Sequence, residues 1–180
     1  MPRLRMSPWV PVGLCLFYHL DPWGSFLPFL LAVLVHELGH IVAIIFVCGK
    51  VTAIDIHLGG AILETAPLTY NQEIFCAMSG PVSGLIFGFL FRKVQPWFWY
   101  WTMLHSLYNL LPIYPLDGGR ALRAAFCKYL PLGKAEALSH AVTILFFCIF
   151  TLFCFLFPMP QFPFFWKIIP VSLLFLQFFP

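Results

Sequence analysis

The chain has 180 residues, of which 61% are hydrophobic, 19% aromatic and only 9% charged. A soluble domain carries about 25% charged residues, so this composition and a mean hydropathy of +0.90 exclude a water-exposed globule. The net charge of +3 reports orientation in a bilayer and gives no reason to expect nucleic acid as a partner.

A hydrocarbon core about 30 Å thick takes roughly 20 apolar residues per helical crossing, which leaves room for about six crossings. The expectation is an all-α polytopic membrane protein in one domain, 1–180, with spans near 8–20, 25–48, 68–91, 96–112, 136–157 and 161–179. The basic start followed by an apolar run resembles a signal peptide, but "YHLDPWGS" offers no small-residue cleavage site, so a short or tilted first span is expected. On this topology Arg3, Arg5, Lys50, Arg120, Arg123, Lys128 and Lys134 share one side, and Arg92, Lys93 and Lys167 the other. The excess favours cytoplasmic termini, with Arg92-Lys93 as contrary evidence. The six cysteines lack paired spacing and read as small buried hydrophobes.

The second span contains Val35–Ile41, "VHELGHI". His36 and His40 are four apart, so a helix stacks both imidazoles on one face, within reach of a single zinc ion. In the HExxH pattern Glu37 is poorly placed as a ligand and well placed to take a proton from water. Ionised groups at mid-membrane cost about 3 kcal/mol on insertion scales, which makes a functional role the default reading.

After this span, apolar residues alternate with polar ones through "VTAIDIHLGGAILET", broken by Gly59-Gly60. The pattern predicts two short strands, a β-hairpin-like or re-entrant segment, and its edge around Leu58 to Glu64 could seat an extended peptide by strand addition. Gly59 and Gly60 are therefore candidate substrate-binding positions. The fourth span ends in "NLLPIYPLDGG", where Pro112 and Pro115 should break the helix after about Leu111, with a restart near Gly118. Zinc hydrolases need a third protein ligand. Of Asp21, Asp55, Glu64, Glu73, Asp117 and Glu136, Asp117 is the best candidate, because it sits in a broken apolar segment with local backbone freedom.

"HELGH" in an apolar helix, "SGP" at Ser79 to Pro81 and "NLLPIYPLDGG" at Asn109 to Gly119 together resemble the site-2 protease family of intramembrane zinc metalloproteases. The resemblance covers about residues 25–130, the expected catalytic core, with 136–180 as a C-terminal transmembrane hairpin. It implies one zinc per chain on His36, His40 and Asp117, Glu37 as base, and Asn109 holding substrate or the oxyanion. Family members often carry an asparagine where this chain has Gly84, so the resemblance implies no polar role for that position of the third span. The "HLGGAILE" segment and the lack of an inserted PDZ module are similar to the subgroup containing stage IV sporulation protein FB. Members of that subgroup typically carry a C-terminal CBS domain, for which this sequence has no segment.

The resemblance implies cleavage of membrane-tethered or single-span regulatory proteins, such as sigma-factor precursors or anti-sigma factors, in a bacterial cytoplasmic membrane. A regulatory membrane protein is a further expected partner. Two other functions fit the same residues: a zinc or proton transporter using intramembrane His, Glu and Asp, and a catalytically idle zinc-binding scaffold. His57 and His105 remain without an assigned role.

Overall fold

The computed structural model describes residues 3–47, 51–57 and 60–156. Within these the chain forms β1 (Arg3–Met6), α1 (Trp9–Leu20), α2 (Phe26–Val47), β2 (Val51–His57), β3 (Gly60–Thr65), α3 (Tyr70–Phe91), α4 (Pro96–Asn109), α5 (Asp117–Tyr129) and α6 (Leu132–Leu156). The bundle of helices is as expected. The span expected at 161–179 lies outside the described residues, as does Gly59.

Three helices, α2, α3 and α6, are long and apolar enough to cross a membrane. Their outer faces keep large side chains such as Leu34, Val42, Phe89 and Ile144 exposed, as lipid-facing helices must. α1 has 12 residues and would rise about 18 Å, which fits the short or tilted first span. Phe17 fixes it to the bundle, with its ring 4.7 Å from Phe29 and 5.7 Å from Trp101.

The fourth span is split. α4 closes at Asn109, α5 opens at Asp117, and each rises only about 20 Å. Proline at 112 and 115 denies the backbone the donors that would continue α4. The broken segment is covered by protein: Ile113 is fully buried, and the Tyr114 N–H donates to Thr143 Oγ1 of α6 at 3.1 Å. The Tyr114–Pro115 peptide is cis.

The expected hairpin exists, with β2 and β3 antiparallel, but it belongs to a three-stranded sheet of order β1-β2-β3. The N-terminal residues expected to lead directly into the first span instead form β1, parallel to β2 with Arg3 opposite Ala53 and Arg5 opposite Asp55. The alternation Arg-Leu-Arg-Met carries a strand period, yet four residues are too few to stand out from a basic leader. The fold is thus mostly helical, with β structure added at one end of the bundle.

α3 is the hub, packing against α2, α4 and α5. Thr69 and Gln72 cap its start reciprocally, and Gln72 Nε2 also donates to the Val47 carbonyl at the end of α2. Added Cβ atoms would strike Ser106 at Gly84 and Thr102 at Gly88, so these glycines set how closely α4 approaches. Gly88→Leu should separate the two helices and lower stability in detergent by about 1–3 kcal/mol or more. Denaturation against wild type checks this.

Candidate metal centre

α2 presents His36 and His40 inward, 2% and 7% exposed, while Leu34 and Leu38 face out at 52% and 46%. Asp117, 6% exposed, enters from the first residue of α5. The helix break therefore delivers a carboxylate to mid-bundle, next to two imidazoles from a different helix.

Three atoms converge. His36 Nε2 lies 3.0 Å from Asp117 Oδ2, His40 Nε2 lies 3.1 Å from the same oxygen, and the two Nε2 atoms are 3.2 Å apart. His40 Nδ1 is 2.8 Å from the Cys76 carbonyl, which can only accept. A neutral His40 therefore carries its proton on Nδ1 and turns a lone pair of Nε2 toward the carboxylate. That lone pair and the carboxylate repel one another unless a proton or a metal cation lies between them. Zinc takes nitrogen and carboxylate ligands at about 2.0–2.2 Å, which places tetrahedral ligands about 3.3–3.5 Å apart. The observed separations come close to that span, and the donor set suits the ion. Among the described residues, His36, His40 and Asp117 form the one group of three or more such donors that could hold a metal.

Three of the other acidic candidates are engaged elsewhere. Asp21 caps the start of α2 through the Phe26 N–H at 2.7 Å, Glu136 pairs with Arg123 at 3.1 Å, and Asp55 faces Arg5 at 3.9 Å. An open cavity of about 460 Å³ on the sheet, lined by Arg5, Ser7, Asp55, His57 and Glu64, contains none of the three donors.

Glu37 points to the sheet. Its Oε1 accepts from the Ala61 N–H of β3 at 3.2 Å, and its Oε2 is buried without a hydrogen-bond partner among the described residues. Asn109, 9% exposed, ends α4 beside the site, with Nδ2 3.0 Å from the His105 carbonyl and 3.3 Å from His105 Nε2. The His105 ring stands edge-on to His36 with centroids 4.4 Å apart. Gly60 begins β3 opposite His57, on the strand that reaches Glu37.

Several supporting groups escaped the sequence reading. A side chain at Gly80 would occupy the His40 ring, so the glycine of "SGP" makes room for an imidazole. Cβ atoms at Gly118 and Gly119 would collide with the backbone of Leu110 and Ile113, so both glycines let α5 start against the broken segment. Arg120 Nη1 stands 3.7 Å from Asp117 Oδ1, opposite the oxygen that faces the imidazoles. The Ser83 hydroxyl donates to the Val35 carbonyl at 3.0 Å, joining α3 to the helix that carries the histidines. The glycine of "SGP" was visible in the sequence as part of a motif, whereas the carbonyl of Cys76 left no signal.

No protein-family model matches the chain. In an alignment 135 positions long that covers 67% of this chain, it is 30% identical to stage IV sporulation protein FB of Bacillus subtilis (strain 168), and it spans 46% of that relative. Its fold matches the solved Site-2 Protease from Methanocaldococcus jannaschii with a TM-score of 0.72, covering 96% of this chain and 87% of that one at 19% identity. Sequence and fold together place the chain in the site-2 protease family, the class of intramembrane metalloproteases that the motifs suggested.

Gly80→Ala should displace the His40 ring and weaken zinc binding by about 10–100-fold with every donor still present. Asp117→Asn should reduce it at least as much. Competition with a chelator, read by metal analysis, tests both.

Proposed function

We propose that this chain is an intramembrane zinc metalloprotease that hydrolyses peptide bonds in or near transmembrane segments of membrane-associated regulatory proteins, such as sigma-factor precursors or anti-sigma factors. The observation that carries the reading is the buried convergence of His36, His40 and Asp117 with Glu37 alongside. His36, His40 and Asp117 would hold the ion. A bound zinc supplies Lewis acidity, polarising a carbonyl and lowering the pKa of a water toward about 7.

The chain's own groups do the rest. His40 is oriented by the Cys76 carbonyl, so its ring cannot turn away from the centre. Glu37 takes the proton of the attacking water and returns it to the leaving nitrogen. Both amide hydrogens of Asn109 are directed at His105, so serving an oxyanion requires exchange of the longer, 3.3 Å contact. A peptide bond within a helix is shielded by its own hydrogen bonds, and the substrate must be extended before attack. Among the described residues β3 is the last strand of the sheet, and its outer edge, which lies beside Glu37, supports that step. The excess of basic residues on the side of Arg3 and Arg5 supports cytoplasmic termini in a bacterial cytoplasmic membrane.

Co-expression with membrane-tethered transcription-factor precursors tests the reading. Glu37→Gln should abolish cleavage while about one zinc per chain remains, because the base is removed and the ligands are kept. Cleavage by that variant at the wild-type rate would sink the role assigned to Glu37.

A further inference from the structure

Among the described residues, β3 reaches the candidate centre through the backbone of Ala61. Ala61 stands opposite Ile56 of β2, and its N–H reaches Glu37 Oε1 at 3.2 Å. In an antiparallel ladder a residue turns its N–H and C=O either both toward the partner strand or both away from it. An Ala61 N–H bonded to Glu37 therefore belongs to the outer edge of β3, and the pairing with β2 does not require it.

The helix fixes only where Glu37 starts. A glutamate has three side-chain torsions, and the last is broad, so α2 alone leaves the carboxylate plane undetermined. The Ala61 contact supplies the missing constraint from a strand 24 residues away in sequence. With Oε1 held, Oε2 is the oxygen left buried and unpartnered among the described residues.

We infer that the Ala61 N–H is the positioning group for the base: it holds Glu37 Oε1 and thereby makes Oε2 the oxygen that receives the proton from water. The inference rests on the reading of Glu37 as base. It also gives β3 two duties on one edge, seating the extended substrate and orienting the group that acts on it. Order in the strand and competence of the base then rise and fall together.

Two measurements on the full chain in detergent micelles decide it. Amide hydrogen exchange should show Ala61 protected in wild type and exchanging about tenfold faster or more in Glu37→Ala, while the Ile62 amide stays as it was. Equal exchange of Ala61 in the two proteins overturns the contact. Ala61→Pro removes the N–H at an edge position that tolerates proline. Its kcat on a tethered substrate should fall about 10–100-fold, out of proportion to any change in KM and with zinc content unchanged. An unchanged kcat, or a change confined to KM, overturns the positioning role. If the proline variant loses zinc, the exchange comparison decides. Wild-type protein that cleaves nothing counts against the protease reading, and the exchange comparison still settles the contact.

Discussion

Two imidazole nitrogens and a carboxylate oxygen stand 3.0–3.2 Å from one another in the interior of a bundle that faces lipid. With His40 protonated on Nδ1 by its bond to the Cys76 carbonyl, the lone pair of its Nε2 faces the Asp117 carboxylate. In so poor a dielectric this arrangement is costly until a cation joins it. The rest of the structure is organised around making it possible. α2 stacks His36 and His40 one turn apart, and the break between α4 and α5 brings Asp117 to the same depth.

Small residues and satisfied backbone hold that geometry. Gly80 clears the volume of the His40 ring, and Gly118 and Gly119 allow α5 to begin against the broken segment. Thr143 answers the Tyr114 N–H, so that irregular backbone at membrane depth is not left bare. Glycine lowers helix propensity by about 1 kcal/mol relative to alanine. That loss is offset where helices must approach closely, which is where these glycines lie. Glu37 is then shared between two layers, its backbone in α2 and its carboxylate on β3.

The donors were legible in the sequence because helical spacing projects chemistry directly: residues four apart must share a face. Asp117 was legible through its setting, a carboxylate among prolines and glycines in an apolar run. The broken helix followed from Pro112 and Pro115 to within two residues. β1 was not legible, since four residues pair only when β2 arrives some fifty positions later, and no local pattern announces a parallel partner. Contacts made by backbone, such as the Cys76 carbonyl on His40 and the Ala61 N–H on Glu37, leave no side-chain signature at all. A side chain at Gly84 would fill the space that the Ser106 hydroxyl of α4 occupies.

The account stands or falls on whether these three donors bind zinc together. X-ray absorption at the zinc edge of the detergent-purified, zinc-loaded chain addresses this directly. The prediction is one zinc per chain with nitrogen and oxygen neighbours at about 2.0–2.2 Å and imidazole scattering from two histidines. A chain that retains no stoichiometric zinc, or a spectrum dominated by sulfur at about 2.3 Å, would contradict it.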